Sequence, residues 1–189
     1  MTQDAGLRDM VGQTESVVDG NVGWIYLDNP ARLNAISLAM WKGIGDALAR
    51  FEAEPSIKCV VIIGRGGKAF ASGADISEFE KRRSSAADIA RYDEVARITS
   101  AKLQDFSKPT IAAIEGYCIG GGLALALLCD LRIATVDARF AVPAAKLGLG
   151  YDYRGIQRLV EVVGATAAKH IFFTAAQFDA DRALRDRKS

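Results

Sequence analysis

Two short loops of small residues are the part of this 189-residue sequence best suited to chemistry. The first runs from Ala71 to Ile76 and the second from Glu115 to Gly122. Each follows a predicted strand and precedes a predicted helix, so its backbone N–H groups can approach a ligand without obstruction by side chains. The start of a helix adds unpaired N–H donors and a field that favours negative charge. Two such loops brought together can hold an oxyanion between two backbone amides.

Residue types alone leave alternatives open for the second loop. Gly120, Gly121 and Gly122 before a helix are also typical of a tight turn or of close backbone packing. Nucleotide binding is a third alternative, although the dinucleotide fingerprint is absent and the triplet lies deep in the chain rather than in a first βαβ unit. The spacing therefore indicates an anion or oxyanion site without deciding among these alternatives.

Composition argues against several other classes of site. The net charge is +1, half the residues are hydrophobic and no basic run is long, which argues against a nucleic-acid partner. The single histidine, His170, leaves little material for a zinc site or a serine–histidine triad, so we expect no metal. Cys59, Cys118 and Cys129 lie in apolar segments without a CxxC pair, which favours reduced core cysteines.

The ends of the chain and its apolar runs bear on location. Residues 1–16 are polar and lack an apolar core, so we interpret them as a disordered tail and not as a signal peptide. The longest apolar run, around Leu123 to Cys129, is too short to span a membrane. We therefore expect a cytoplasmic protein without a membrane partner.

The elements that must position the two loops alternate between strands and helices. Strands are predicted over residues 17–27, 59–63, 110–114 and 131–134, and helices from about residue 37, after residue 85, after residue 122 and over residues 155–184. The first helix is predicted to bury Leu38, Trp41, Ile44, Leu48 and Phe51, and the second to bury Ile89, Tyr92, Val95, Ile98, Leu103 and Phe106. The alternation predicts an α/β fold.

Four ordered segments of the sequence together carry a family resemblance. They are Leu27–Ala35, Lys68–Ile76, Lys108–Gly122 with Cys129-Asp130, and Phe140–Leu149. Their order and content resemble the crotonase, or enoyl-CoA hydratase/isomerase, superfamily. The resemblance implies a spiral of ββα units over residues 17–189 and self-association as a trimer or hexamer.

The resemblance also implies a substrate and a site. The substrate is an acyl-CoA thioester, and coenzyme A is part of it, so no separate cofactor is expected. The family's oxyanion hole uses two backbone amides, which by motif position are those of Ala74 and Gly121. Contacts with coenzyme A map onto Arg32, Leu33, Ala71, Asp75 and Ile76. A solvated surface arginine is the alternative for Arg32, which otherwise meets a CoA phosphate.

Two positions depart from the hydratases of that family. Those enzymes add water with two glutamates, and the motif positions place Ala124 and Ala144 there. A methyl group cannot transfer a proton, so the sequence argues against hydration. Simple Δ3,Δ2-isomerases also need an acid or base at the second position. Decarboxylase-like or other isomerase-like chemistry is therefore favoured.

Residues 147–155 resemble the corresponding stretch of methylmalonyl-CoA decarboxylase. In that branch a tyrosine at the position of Tyr151 lies close to the substrate carboxylate, which implies a role as an orienting hydrogen-bond donor. A purely structural phenol is the alternative. The histidine that this decarboxylase carries in the first loop falls at Ala74, so the match is incomplete.

The last residues also depart from the family pattern, after Leu184. We therefore expect the domain to lack the family's C-terminal helices, with an open pocket and apolar surfaces that need a partner. A non-catalytic acyl-CoA-binding or oligomeric interaction protein is the rival class. Ala124 and Ala144 favour that rival, whereas the two intact loops favour an enzyme.

Overall fold

The structure is a computed structural model that describes residues 12–75, 86–151 and 153–186. Its strands are β1 (Gln13–Asp19), β2 (Val22–Asp28), β3 (Cys59–Gly64), β4 (Ala69–Ala71), β5 (Thr110–Ile114), β6 (Tyr117–Ile119), β7 (Leu131–Ala134), β8 (Arg139–Ala141) and β9 (Phe178–Asp179). Its helices are α1 (Leu38–Ala53), α2 (Ala86–Gln104), α3 (Gly121–Leu128), α4 (Ala144–Leu147), α5 (Tyr153–Thr174) and α6 (Ala180–Asp186). A 3-10 turn covers Pro30–Arg32.

Two sheets receive successive strands in turn. The five-stranded sheet has the order β1-β2-β3-β5-β7 and the four-stranded sheet the order β4-β6-β8-β9. Only β1 and β9 run antiparallel to their neighbours among these strands. The pairs β3–β4, β5–β6 and β7–β8 each place one strand in each sheet before the chain turns into a helix. The predicted α/β spiral of ββα units is confirmed.

The first helix forms as its sequence predicts. The Ser37 hydroxyl accepts a hydrogen bond of 3.1 Å from the Met40 N–H and caps α1. Four of the five predicted core positions are buried: Trp41, Ile44, Leu48 and Phe51. The Trp41 indole donates to the Tyr92 hydroxyl at 3.0 Å, which ties α1 to α2. The helix packs against β1 and β2, and its buried side chains join the core that lies on β2.

The predicted buried face of α2 is wrong in part. Ile89 and Ile98 are 45% and 43% exposed, whereas Tyr92 and Leu103 are buried as predicted. The contact with α1 follows a narrow stripe that includes Thr99, whose hydroxyl donates to the Trp41 carbonyl at 3.1 Å. Ile98 lies off that stripe and Ile89 lies at its edge in the first turn, so apolar character alone overestimated the buried face.

The N-terminal segment forms a hairpin where the sequence predicted one strand. β1 and β2 pair antiparallel along their whole length, and the turn between them includes Gly20 with a φ of +56°. Residues 13–16, which we assigned to the tail, belong to β1 because their backbone pairs with β2. Residues 1–11 lie outside the described ranges. Strands β6 and β8 were missed because three residues are too few to show a periodicity.

The late region is helical as predicted, with an interruption. α5 has a kink at Gly164, which has a φ of +79°, and the short strand β9 separates α5 from α6. Among the helices of the described ranges, none is both long enough and apolar enough to cross a lipid bilayer.

Candidate active site

The first loop presents the Ala74 amide at the surface. The Ile36 N–H donates to the Gly73 carbonyl at 2.7 Å, and the Asp75 N–H donates to the Ile36 carbonyl at 3.0 Å. The Gly73 carbonyl and the Ala74 N–H belong to one trans peptide and point in opposite directions. The Ala74 N–H therefore points away from Ile36, and Ala74 itself is exposed.

The second loop presents the Gly121 amide at the start of α3. The Gly120 carbonyl accepts a hydrogen bond of 3.0 Å from the Ala124 N–H in the first turn of the helix. The Gly121 N–H is on the opposite side of the same peptide, so it points out of the helix start. Gly121 is half-buried, which leaves this second donor accessible.

The two amides lie side by side. A Cβ placed on Gly121 would lie 3.6 Å from the Ala74 nitrogen and 3.7 Å from the Gly73 Cα. Within the described ranges, neither N–H donates to a protein acceptor. Two free donors within reach of one atom are the arrangement that stabilises an oxyanion. The structure thus brings together the two residues that motif position selected, and their role stays a prediction.

Close backbone packing, one of the open alternatives for the glycine triplet, also occurs here. A Cβ on Gly122 would lie 2.2 Å from the Ala71 carbonyl oxygen, so α3 can approach β4 only because position 122 is glycine. Position 121 shows no such clash. The packing requirement at Gly122 and the free amide at Gly121 are therefore separate properties of neighbouring residues.

A small apolar pocket adjoins the start of α3. Its volume is about 10 Å³, close to that of a single water, and it is lined by Gly120, Leu123, Ala124, Leu127, Val142, Tyr151, Gly155, Ile156, Leu159 and Phe172. Tyr151 is the one described lining residue with a polar side chain. Its hydroxyl would lie 3.6 Å from a Cβ on Gly120. Burial raises the pKa of Tyr151, so the phenol stays protonated and able to donate.

The family resemblance places the two glutamates of hydratases at Ala124 and Ala144, and among the described residues no acid lines the small pocket. Ala124 lines it and is half-buried, whereas Ala144 is fully buried at the start of α4. Glu161 is exposed on α5 and pairs with Arg158 at 3.2 Å. His170 is exposed on the same helix. Asp152 lies outside the described residues.

Arg32 and Asp75, both predicted to contact coenzyme A, bind each other. One guanidinium nitrogen of Arg32 lies 3.2 Å from a carboxylate oxygen of Asp75. Asp75 is 5% exposed, while the Arg32 side chain is about one third exposed. Arg32 therefore keeps donors that face solvent, since a guanidinium carries five N–H groups. Contact of either residue with coenzyme A stays a prediction.

The other residues predicted to contact coenzyme A differ in accessibility. Leu33 is exposed beside Arg32, with a φ of +51°. Ala71 is fully buried in β4, so its side chain is out of reach of a ligand. Ile76 lies outside the described residues.

Asn29 and Asn34 were missed by the sequence reasoning although both are buried and central to the loop. The Asn29 amide nitrogen donates to the Ala35 carbonyl at 2.9 Å and to Asp75 at 3.2 Å. The Asn34 amide nitrogen donates to the Ala69 carbonyl at 2.7 Å. The available signal was the two asparagines that flank Pro30 and Arg32 within the segment Leu27–Ala35, because asparagine side chains commonly bond to the backbone of turns.

A second apolar pocket, of about 260 Å³, lies between α3, α5, α6 and strands of both sheets, and it shares Leu123, Leu127 and Leu159 with the small pocket. None of the described predicted site residues lines it. Over the ranges that the structure describes, no group of three or more His, Cys, Asp or Glu residues could hold a metal ion.

Comparison with known proteins assigns the family. The model of the enoyl-CoA hydratase/isomerase family matches residues 18–186. A short-chain-enoyl-CoA hydratase of Clostridium acetobutylicum is 34% identical over 167 residues, which cover 88% of this chain and 63% of that protein. A crotonyl-CoA hydratase of Syntrophomonas wolfei is 34% identical over 161 residues, which cover 85% of this chain and 61% of that protein. The chain thus spans about three fifths of the length of these curated relatives.

Solved structures agree with that assignment. The crystal structure of an enoyl-CoA hydratase/carnithine racemase from Magnetospirillum magneticum matches with a TM-score of 0.87 and 36% sequence identity. The match covers 99% of this chain and 70% of that one. With the family model covering most of the chain, these matches show that it belongs to the enoyl-CoA hydratase/isomerase family.

Proposed function

We propose that this chain binds an acyl-CoA thioester and stabilises its enolate between the Ala74 and Gly121 N–H groups. The observation that carries the proposal is this pair of adjacent amides, neither of which donates to an acceptor among the described residues. The thioester oxygen gains negative charge as the enolate forms, and preorganised donors then bind it more strongly than in the ground state. One such donor is commonly worth about 2.7–4 kcal/mol of transition-state stabilisation.

Decarboxylation is the reaction that this site supports best. In a malonyl-type thioester the bond between the α-carbon and the carboxylate breaks, its electron pair enters the enolate, and CO2 leaves. A proton from solvent then adds to the α-carbon. The step needs oxyanion donors and no general base, which agrees with alanine at positions 124 and 144 and with Tyr151 as the polar side chain of the pocket.

Two alternatives remain. The first is isomerase-like chemistry in the same oxyanion site, in which solvent water takes up the α-proton and returns a proton to the enolate. The second is a non-catalytic acyl-CoA-binding or oligomeric interaction protein, which Ala124 and Ala144 favour because neither methyl group can move a proton. The named relatives are hydratases, but this chain has alanine at the two positions, 124 and 144, where the resemblance places the acids that hydration needs.

The partners follow from the same proposal. The solvent-facing N–H donors of Arg32 are proposed to bind a phosphate of coenzyme A. Leu33 and the first loop are proposed to contact the rest of the coenzyme A part of the substrate. A homo-oligomer, a trimer or hexamer, is proposed because Leu131, Ile133 and Val136 near the β7 edge are 53%, 63% and 91% exposed. A cytoplasmic location and the lack of a separate cofactor stay predictions.

A panel of thioesters separates these functions. The protein is incubated with crotonyl-CoA, malonyl-CoA and methylmalonyl-CoA, and products are identified by mass, with binding of acetyl-CoA measured by calorimetry in parallel. We expect loss of CO2 from a malonyl-type thioester. Binding without any product supports the non-catalytic alternative. Absence of binding at millimolar acetyl-CoA contradicts the proposal as a whole.

A further inference from the structure

The peptide that carries the Ala74 N–H is held from one side by the turn that runs from Asn29 to Ile36. Two backbone hydrogen bonds with Ile36 fix the polar groups on either side of Ala74: the Ile36 N–H donates to the Gly73 carbonyl, and the Asp75 N–H donates to the Ile36 carbonyl. The Ser72 hydroxyl adds a third bond, to the Arg32 carbonyl at 3.0 Å. The direction of the Ala74 N–H therefore depends on where this turn lies.

Three side chains fasten the turn to the loop. Each carboxylate oxygen of Asp75 has its own donor, since Oδ2 accepts from the Asn29 amide and Oδ1 from the Arg32 guanidinium, both at 3.2 Å. Asp75 and Asn29 are only 5% and 4% exposed. A buried carboxylate is costly unless it is bonded, so loss of either donor displaces it toward water.

The same turn is also anchored to the four-stranded sheet. The Asn29 N–H donates to the Asn34 side-chain oxygen at 2.9 Å, and the Asn34 amide nitrogen reaches the Ala69 carbonyl of β4 at 2.7 Å. The Asn29 side chain also holds the Ala35 carbonyl. Because the turn is fixed to β4, it cannot move with a displaced Asp75 side chain. Displacement of Asp75 should therefore move the first loop, which carries Ala74.

We propose that Asp75 and Asn29, together with Arg32, are positioning residues that aim the Ala74 N–H at the space in front of Gly121. This inference rests on the proposed function for the use of that N–H. It assigns the Asp75 carboxylate to holding the loop and not to contact with the ligand. Arg32 thereby combines two roles, because its remaining donors stay available to a phosphate.

The test uses variants of matched size. In Asp75→Asn only one acceptor oxygen remains for two donors, so one donor loses its partner. The exchange variant, Asn29→Asp with Asp75→Asn, restores a donor–acceptor pair between the two positions but removes the bond from the position 29 side chain to the Ala35 carbonyl, so only partial recovery is expected. Glu94→Gln is the control, because it removes the exposed ion pair of Glu94 with Arg97 on α2, away from the site.

The readouts separate positioning from simple loss of fold. With the malonyl-type thioester that reacts, we expect Asp75→Asn to lower kcat about 10- to 100-fold with KM within about threefold, since small misplacement of a reacting group has effects of this size. In Asp75→Asn, the carbonyl stretching frequency of a 13C-labelled thioester should shift less on binding than it does in the unmodified protein. The exchange variant should recover at least part of both signals, and Glu94→Gln should match the unmodified protein. Unchanged kcat and unchanged carbonyl shift in Asp75→Asn overturn the inference.

A readout without substrate distinguishes failure of this inference from failure of the proposed function. In 15N-labelled protein, the Ala74 N–H should have the high order parameter of rigid backbone, about 0.85, and Asn29→Ala should lower it. If no thioester binds, the proposed function is lost while this measurement still decides the positioning role. A mobile Ala74 N–H in the unmodified protein, or one unaffected by Asn29→Ala, overturns it.

If the variants do not fold, hydrogen exchange in the unmodified protein tests the positioning role. The Asn29 side-chain amide protons should exchange far more slowly than those of an exposed asparagine.

Discussion

Tyr151 and Phe172 pack edge to face, with ring centroids 5.3 Å apart and ring planes at 87°. The contact joins the segment before α5 to the end of that helix, and it holds the phenol beside Gly120 at the start of α3. The ring therefore contributes packing, while the hydroxyl is the only part of Tyr151 that can act on a polar ligand.

Tyr151→Phe should separate these contributions. The ring contact with Phe172 is retained, so the midpoint of thermal unfolding should change by no more than about 2 °C, whereas decarboxylation should fall about 10-fold or more if the hydroxyl orients the carboxylate. Phe172→Leu is the matched control, which weakens the packing and keeps the hydroxyl. Equal activity of Tyr151→Phe and the unmodified protein means that the phenol is structural.

The pH profile adds a test of the same residue. Because burial raises the pKa of Tyr151 above its ordinary value of about 10, the hydroxyl stays a donor throughout neutral and mildly alkaline solution. The part of the activity that Tyr151→Phe removes should therefore be constant from about pH 7 to pH 9. A loss of that part with a midpoint below pH 9 is inconsistent with a buried, protonated phenol.

Gly121→Ala and Gly122→Ala should fail for different reasons. A methyl group at position 121 makes ordinary contacts, at 3.6 Å from the Ala74 nitrogen, but fills the space between the two amides. We expect a folded protein with activity about 10²–10³-fold lower, the usual effect of losing one oxyanion donor. A methyl group at position 122 lies 2.2 Å from the Ala71 carbonyl oxygen, so this variant should lose stability, by about 1–3 kcal/mol or more. Circular dichroism with the activity assay distinguishes them. Full activity in Gly121→Ala contradicts the oxyanion role.

Introducing two glutamates should raise the weak hydratase activity on crotonyl-CoA. The double variant Ala124→Glu with Ala144→Glu places carboxyl groups at the two positions where the family resemblance places the glutamates of hydratases. We expect hydration of crotonyl-CoA to rise at least about 10²-fold, the low end of the effect of a positioned acid or base. Glutamine at both positions matches the size without the proton transfer. If the glutamine variant gains as much, the increase has another origin.

Stability should fall at alkaline pH because of two buried thiols. Burial raises the pKa of Cys129 to about 12 and also raises that of Cys118. The unfolded thiols ionise near pH 8.5, so the folded state is fully favoured below that pH and loses stability above it. Between pH 8 and pH 10 we expect a loss of about 2 kcal/mol per thiol in urea denaturation, less in Cys129→Ala than in the unmodified protein. An equal loss in both contradicts this origin.

Much of the fold was predictable from local patterns. The apolar spacing of α1 and the β-branched run of β3 each define an element without help from the rest of the chain. The turn at Gly20 and the strands β6 and β8 were not predicted, because they are short and depend on pairing with partners distant in sequence. Apolar residues on α2 were overestimated as core for a related reason, since only docking on α1 decides which face is buried.

The candidate site was also predictable only where local sequence defines it. Small residues predicted that Ala74 and Gly121 lie between strands and helices, and the family resemblance implied that these two amides form the oxyanion hole. The pairing of Arg32 with Asp75 was not foreseen, because these residues are separated by 43 positions and meet only when the turn closes on the loop. Contacts of this kind depend on three-dimensional approach, which spacing along the chain does not encode.

The rate at which the unmodified protein hydrates crotonyl-CoA tests the central claim most directly. The site has alanine at both positions where the resemblance places the acids of hydration, and a positioned acid or base typically contributes about 10²–10⁴-fold. Two such losses at the low end amount to about 10⁴-fold, so the rate should lie below about 10⁻³ s⁻¹, compared with a typical enzyme rate of about 10 s⁻¹. A rate of order 10 s⁻¹ or more contradicts the account, since another residue must then supply the proton transfers that Ala124 and Ala144 cannot.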